Sequence, residues 1–115
     1  MKTLTMIDPR TGLEWQRKIS PRRMTWAQAT AYAAHLELDG GSWRLPTVEE
    51  LFMLADRARH KPAADPALIP HCPSSLFWTS TLWASGQDNA WVVDFLNGNS
   101  GYDDVTAPYR VRCVR

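Results

Sequence analysis

The alternation of apolar and polar positions begins near the start of the chain, after the turn-like residues 8–12, DPRTG. Leu13 and Trp15 alternate there with Glu14 and Gln16. A period of two residues is typical of a strand with one buried face. The pattern therefore predicts a half-buried β-strand that follows an early turn.

The apolar spacing changes to three and four residues beyond this strand, which predicts a first helix. Its apolar positions are Trp26, Ala29, Ala33 and Leu36. Thr25 and Gln28 form a T-x-x-Q capping box, in which each side chain satisfies a free backbone N–H at the helix start. The glycines at 40–41 accept positive φ at little steric cost, so we expect the helix to end there.

A second helix is predicted within the stretch SWRLPTVEELFML, residues 42–54. Pro46 precedes another capping box, formed by Thr47 and Glu50. The apolar positions at helical spacing are Val48, Leu51, Leu54 and Ala55. The helix is expected to reach about Arg59. Glu50 is interpreted as a helix cap, which contributes about 0.5–2 kcal/mol, rather than as a catalytic carboxylate.

The second half of the chain carries strand signals. Residues 61–75 contain four prolines and predict an ordered but irregular loop. Three later runs predict strands, at 77–82, 90–95 and 109–114. The Asn-Gly pair at 97–98 indicates a hairpin, because both residues accept the positive φ of a type I′ turn. This order of elements predicts an α+β fold, with two helices before the main antiparallel sheet.

Length and charge narrow the range of functions. The 115 residues fit one domain, 1–115. The net charge is only +1, but residues 1–23 hold six basic and two acidic side chains, whereas residues 24–104 hold four basic and ten acidic ones. A basic surface for an anionic partner and an ordinary solvated surface both explain this asymmetry. The charge is too small to indicate nucleic-acid binding.

The sequence offers little for catalysis, and we expect no enzymatic activity, no cofactor and no metal site. His35, His60 and His71 lack the spacing of two metal ligands on one helix. No G-x-S-x-G, P-loop or H-E-x-x-H motif occurs. Cys72 and Cys113 permit one disulfide at most, and a structural role and free thiols are both open for them.

Targeting signals are absent from the printed sequence. No apolar run approaches the ~20 residues of a membrane span, so no span is expected. The first ten residues, MKTLTMIDPR, lack the apolar centre of a signal peptide. The localisation stays open, and the cytoplasm is slightly favoured.

Six phrases, in order along the chain, resemble one bacterial domain family. They are DPRTGLEW at 8–15, TWAQA at 25–29, WRLPTVEEL at 43–51, FWTST at 77–81, AWVVDF at 90–95 and VRCVR at 111–115. The family is a bacterial domain of unknown function typified by the C-terminal domain of the Legionella collagen-like adhesin. The resemblance covers nearly the whole chain.

This resemblance implies a C-type-lectin-like fold, in which the first and last strands pair and two helices pack on the sheet. It implies that Trp43 and Trp91 fill core, and that Arg44 pairs with a carboxylate or with carbonyls behind the helix start. Family members often carry a first-helix cysteine that bridges to the last strand. Residues 32–34 are Tyr-Ala-Ala here, so Cys113 lacks that partner, which fits a reducing compartment.

The resemblance also implies ligand binding by late loops. Residues 83–89 and 97–104 are dense in Asn, Asp, Ser, Gly, Tyr and Trp, which suit adaptable polar contacts with rigid aromatic anchors. The candidate ligand-binding residues are Trp83, Asp88, Asn89, Asn97, Asn99, Tyr102, Asp103 and Asp104. Ordinary turn chemistry is the alternative explanation for these residues. The favoured function is non-enzymatic recognition of a protein or a glycan.

Adhesins of this type bind sulfated polysaccharides, which implies a cationic patch. The candidates for it are Arg17, Arg22, Arg23, Arg110, Arg112 and Arg115. Two other functions stay open: a binding protein diversified by a retroelement within residues 87–104, and a calcium-dependent binding module. The oxygen ligands of that calcium site would be Asp88, Asn89, Asp94, Asp103 and Asp104. The oligomeric state is left open.

Overall fold

The computed structural model describes residues 4–20, 22–86 and 88–115. In chain order its elements are β1 (Thr5–Ile7), β2 (Glu14–Gln16), α1 (Trp26–His35), a 3₁₀ turn (Leu38–Gly40), α2 (Val48–Leu54), β3 (Leu76–Leu82), β4 (Asn89–Asp94) and β5 (Ser100–Asp104). β1 and β2 form one antiparallel sheet, and β3, β4 and β5 form a second one in that order. The predicted α+β class is confirmed, and the arrangement is compatible with the C-type-lectin-like fold.

The three-stranded sheet has one helix on each face, because neighbouring residues of a strand point to opposite sides. Phe77 on β3 belongs to a buried cluster that contains Leu51 of α2. Trp78, the next residue, belongs to a second buried cluster that contains Ala29 of α1. The two cores therefore lie on opposite sides of β3 and β4, and they leave β5 at the edge of the sheet.

Both predicted capping boxes are confirmed. At the start of α1, the Thr25 hydroxyl accepts from the Gln28 backbone N–H and the Gln28 side chain accepts from the Thr25 N–H, at 3.3 and 3.0 Å. Thr47 and Glu50 form the same reciprocal pair at the start of α2, at 3.2 and 2.8 Å. Each box satisfies two helix-start donors within four residues of sequence.

The predicted helix ends are wrong. α1 ends at His35 rather than at the glycines 40–41, because the next residue adopts extended backbone and packs against the cluster around α1. α2 ends at Leu54 rather than near Arg59. Beyond it the Asp56 N–H donates to a carbonyl of the proline-rich loop, and its carboxylate accepts a local backbone N–H. Neither helix in the described part of the chain is long and apolar enough to cross a bilayer.

The C-terminal segment does not form the regular strand predicted at 109–114. It makes isolated bridges to several elements instead, pairing Tyr109 with Met24, Arg110 with Phe77, and Val114 with both Trp15 and Arg44. Glu14 and Arg115 exchange both backbone hydrogen bonds, at 3.0 and 2.9 Å. The first sheet and the chain's last residues therefore lie together, as the resemblance implies.

Two implied side-chain roles are confirmed near α2. Trp43 is buried, and its indole N–H donates to the Leu38 carbonyl at 2.7 Å. The Arg44 guanidinium donates two hydrogen bonds to the Glu50 carboxylate, at 2.7 and 2.8 Å. This bidentate pair holds the pKa of Glu50 below its usual value. Glu50 thus caps the helix and orients the preceding segment.

The predicted hairpin at residues 97–98 exists, but its turn type is wrong. Gly98 has φ 85°, whereas Asn97 does not adopt positive φ, so the turn is not type I′. The Asp94 carbonyl accepts from the Gly98 N–H at 2.7 Å, and the Asp94 N–H donates to Asn99. The residues that follow form β5, so most of the predicted loop at 97–104 is a strand.

Candidate functional site

Three aromatic side chains meet near the end of the sheet that is remote from the β4–β5 turn. Trp91 and Tyr102 are direct cross-strand partners, and their rings meet edge to face with centroids 6.0 Å apart. Trp83, between β3 and β4, stacks on Tyr102 with centroids 4.4 Å apart and planes 13° from parallel. Both arrangements are favourable for aromatic rings. Trp83, Trp91 and Tyr102 are called the aromatic cluster below.

A groove of about 430 Å³ adjoins this cluster, between α2 and the β4–β5 hairpin. Its lining residues are Val48, Glu49, Phe52, Met53, Trp91 and Ser100. Phe52 is 40% exposed and Met53 is 51% exposed, although both are large and apolar. Because most of the lining is apolar, we call this surface the apolar groove.

Trp91 does not fill core, and the expectation from the resemblance is wrong for this residue. It is half-buried and belongs to neither buried cluster. Its neighbours Val92 and Val93 are buried on opposite faces of β4. Trp91 shares the face of Val93 but lies beyond the buried cluster beneath α2, so its ring meets Tyr102 and the groove.

The α2 side of this surface was not predicted from the sequence. α2 buries Leu51 and Leu54, and one buried stripe is enough to attach a short helix to a sheet. Phe52 and Met53 lie between those two leucines and point away from the stripe. Consecutive large apolar residues outside the core stripe were the signal for an exposed apolar surface.

Four of the predicted ligand-binding residues come together on one face of the sheet. Trp83 and Tyr102 belong to the aromatic cluster. Asn89 and Asp104 are cross-strand partners, and each lies two residues along its strand from Trp91 or Tyr102. Residues two apart share a face, so Asn89 and Asp104 extend the face that carries the cluster.

The other four predicted residues lie elsewhere. Asn97 and Asn99 form the β4–β5 turn, where the Asn97 side chain accepts from the Asn99 N–H at 3.0 Å. Asp103 points to the opposite face and accepts a hydrogen bond from the Tyr109 hydroxyl, which raises the pKa of Tyr109 to about 12. Asp88 is exposed just before β4.

Three of the four aspartates proposed for calcium, Asp94, Asp103 and Asp104, already accept hydrogen bonds from the protein. Asp94 accepts from the Leu96 N–H at 2.9 Å, and Asp104 accepts from both the N–H and the hydroxyl of Thr106. These Thr106 bonds hold the pKa of Asp104 below its usual value. Among the described residues, no three His, Cys, Asp or Glu side chains are grouped to hold a metal ion.

Arg112 and Arg115 have structural partners. Arg112 is only 1% exposed and donates to the carbonyls of Gln16 and Arg17, at 2.7 Å each. Arg115 donates to Glu14 at 2.8 Å, and its guanidinium lies 4.4 Å from the Trp43 ring centroid. Arg112 therefore cannot contribute to an exposed cationic patch, and Arg115 already has a carboxylate partner.

The remaining arginines differ in exposure. Arg22 and Arg23 are exposed, whereas Arg17 and Arg110 are partly buried. Met24, next to Arg23, pairs with Tyr109, so Arg23 and Arg110 lie in the same region of the molecule. Arg22 and Arg23 are thus the most accessible of the six.

The two cysteines are both free and both buried, so no Cys72–Cys113 disulfide forms. Burial raises the pKa of the Cys113 thiol to about 12 and also raises that of Cys72. Cys72 is part of the proline-rich loop and belongs to the buried cluster that contains Leu51, whereas Cys113 belongs to the cluster that contains Ala29 of α1. Their separation into different cores explains why they do not pair.

The comparison with protein families agrees with the motifs in the sequence. The model of the Lcl C-terminal domain matches residues 4–115. The chain belongs to this family. The matched residues include both sides of the apolar groove and all six candidate arginines. The groove and the basic region are therefore both parts of the Lcl C-terminal domain. A comparison with curated proteins gave no match.

Proposed function

We propose that this Lcl C-terminal domain is a non-enzymatic binding module, which recognises a protein or a glycan through the apolar groove and the aromatic cluster. The relation of the family to a bacterial adhesin is consistent with a binding role. The observation that carries the proposal is the continuity of this surface. Phe52, Met53, Trp91 and Tyr102 present large side chains that the cores do not bury.

The energetic reason is that apolar surface gains free energy when it leaves water. Each Å² of buried apolar surface contributes about 25 cal/mol, and aromatic rings supply most of the area at many interfaces. Monomeric proteins seldom expose contiguous apolar patches without a role in binding. Rigid supports for the groove come from the capped helix α2 on one side and the β4–β5 ladder on the other.

The charge near the groove favours a neutral or basic ligand over a sulfated one. No Lys or Arg occurs between Lys61 and Arg110, while five aspartates do. Glu49 lines the groove itself, and the exposed Asp104 extends its sheet face. A sulfated polysaccharide would meet repulsion there, and its better site is the region of Arg22 and Arg23.

The test is binding of the purified domain to an array of glycans and proteins. A Phe52→Ala/Met53→Ala variant should lose the signal while it keeps its circular dichroism spectrum. The matched control is Leu4→Ala/Ile7→Ala, since these two apolar residues at β1 are 59% and 64% exposed and do not line the groove. Equal binding by both double variants would contradict the proposal.

A further inference from the structure

The outer edge of β5 has backbone groups without strand partners. The Asp94 N–H donates to the Asn99 carbonyl, and the Val105 N–H donates to the Asp88 carbonyl. Hydrogen-bonded pairs in an antiparallel ladder recur at every second residue. The backbone N–H and carbonyl groups of residues 99, 101, 103 and 105 therefore point towards β4. The peptide groups of Ser100, Tyr102 and Asp104 therefore point away from the sheet, where the described chain places no further strand.

For two of these three residues, no nearby group of the described chain replaces the hydrogen bonds that a partner strand would make. The Asp104 N–H is satisfied by the Asp103 side chain at 2.7 Å, and its carbonyl accepts from Ala107. Ser100 and Tyr102 are both exposed, and each presents one outward N–H and one outward carbonyl. Natural sheets often protect a free edge with Lys, Pro or a bulge. The Ser-Gly-Tyr sequence at 100–102 contains no such device.

The free edge and the apolar groove are neighbours. Ser100 belongs to both, because it lines the groove with its side chain and faces the edge with its backbone. An added strand would lie about 4.8 Å from β5. Since the Ser100 side chain is small, a long apolar side chain of that strand can pass over it towards Trp91 and Phe52.

Charge distinguishes among possible occupants of this edge. Glu49 lines the groove and has no ion pair with a described residue. Asp104 is exposed on the Tyr102 face of β5. Two cations contact the α2 side of the groove. The Arg57 guanidinium covers the Phe52 ring at 3.3 Å from the centroid, and the Arg10 guanidinium, which is paired with Asp8, donates to the Met53 carbonyl at 3.0 Å. Both arginines are engaged by α2, whereas Glu49 and the exposed Asp104 are available to cationic side chains of a partner.

We infer that the domain binds an extended peptide segment of a partner protein as a fourth strand on the free edge of β5. The segment carries an apolar side chain for the groove and lysine or arginine for Glu49 and Asp104. Backbone hydrogen bonds to Ser100 and Tyr102 supply affinity, and alternate side chains supply specificity. This inference rests on the proposed function, because it names the ligand class of the same groove.

The experiment is a selection of random peptides, displayed on phage, against the immobilised domain. We expect the enriched peptides to combine alternating apolar residues with lysine or arginine. Enrichment of acidic peptides, or of none, would overturn the inference. The array of glycans and proteins tests the proposed function separately. If the domain binds a glycan and Phe52→Ala/Met53→Ala loses that binding, the groove is a binding site, but its ligand is a glycan and not a peptide.

Strand addition is then tested on a selected peptide. Two series of the peptide are methylated on alternate backbone nitrogens. In one series the methyl groups lie on nitrogens that face β5 and block their hydrogen bonds. In the other series they lie on nitrogens that face away from β5 and leave these hydrogen bonds intact. We expect one series to weaken binding at least about tenfold and the other to leave it within about twofold. Equal effects of the two series would exclude strand addition, and this measurement uses the unmodified domain.

Variants of the domain supply the complementary test. Ser100→Pro removes an outward N–H and leaves the groups that face β4 intact, while Ser100→Ala shortens the side chain and keeps the N–H. Ser100→Pro should weaken binding at least about tenfold relative to Ser100→Ala. Glu49→Lys should also weaken it, whereas the same change at exposed Glu37 should not. Equal binding by the paired variants would contradict the inference.

Discussion

Tyr102 lies between two tryptophans: its ring stacks on Trp83 and meets the edge of Trp91. It is nevertheless 51% exposed, because both contacts are made on the outer part of the sheet. The stack therefore stabilises the turn between β3 and β4 without belonging to a core. Because Tyr102 lies outside the cores, its effect on stability can be measured separately from its effect on binding.

Tyr102→Ala removes two aromatic pairs, each contributing about 0.5–1.5 kcal/mol, so it should reduce the free energy of unfolding by about 1–3 kcal/mol. The domain should remain folded, because the residue buries little area. Urea unfolding followed by circular dichroism measures the change. Trp78→Ala is the reference: Trp78 is 0% exposed, and its truncation should cost about 3–5 kcal/mol. Similar losses in the two variants would mean that the aromatic cluster is part of the core.

Glu50 makes two separable contributions to stability. Glu50→Gln retains an acceptor for the Thr47 N–H, as Gln28 does in α1, but loses the ion pair with Arg44. Because Arg44 is 47% exposed, this loss should be at most about 1 kcal/mol. Glu50→Ala also loses the cap, which should lower the free energy of unfolding by about 0.5–2 kcal/mol more. Urea unfolding at neutral pH measures both variants.

The same variants predict a pH dependence. The folded-state pKa of Glu50 lies below the usual 4.5, chiefly because of the hydrogen bonds from Arg44. The stabilisation is therefore complete above that value and is lost as the pH falls through the folded-state pKa. The difference in unfolding free energy between the native chain and Glu50→Gln should shrink over this window. A constant difference from neutral to acidic pH would exclude the ion pair as its cause.

The arginines should divide into structural and accessible groups. Arg112→Ala removes the donor of the buried Gln16 carbonyl, at about 1–3 kcal/mol, and that of the partly buried Arg17 carbonyl, and it opens a cavity as well. Arg22→Ala/Arg23→Ala changes only exposed side chains and should stay within about 0.5 kcal/mol per residue. Thermal unfolding of the two variants distinguishes these outcomes.

A heparin column tests the accessible pair for binding. If a sulfated polysaccharide binds in this region, Arg22→Ala/Arg23→Ala should elute at lower salt than the native domain. Its affinity should also depend less steeply on salt, because fewer counterions are displaced. The groove variant Phe52→Ala/Met53→Ala should elute with the native domain. Unchanged elution of the arginine variant would exclude this pair from anion binding.

The sequence predicted those features of the fold that depend on residues close together in the chain. Both capping boxes depend on side chains three residues apart, so the starts of α1 and α2 follow from sequence alone. The ends of the helices depend on packing and on the proline-rich loop, which sequence spacing does not report. The cationic patch that the resemblance implies likewise included Arg112, but Arg112 is buried and donates to the carbonyls of Gln16 and Arg17.

The candidate site was predicted only on its sheet side. The composition of the late residues led to Trp83 and Tyr102, which the structure brings together. Phe52 and Trp91 are distant in sequence. The helical spacing left Phe52 outside the predicted buried stripe, and the resemblance implied a core role for Trp91. Only the packing of α2 across β4 shows that both line one groove.

The thiols offer a final test of the two cores. Burial raises the pKa of Cys113 to about 12 and that of Cys72 above its usual value, so both stay protonated at neutral pH. The thiolate is the reactive form, so a chromogenic disulfide reagent should react slowly with the native domain and quickly in denaturant. A reductant should leave the melting temperature unchanged, because no disulfide is present. Fast labelling of one thiol without denaturant would show that its core opens locally.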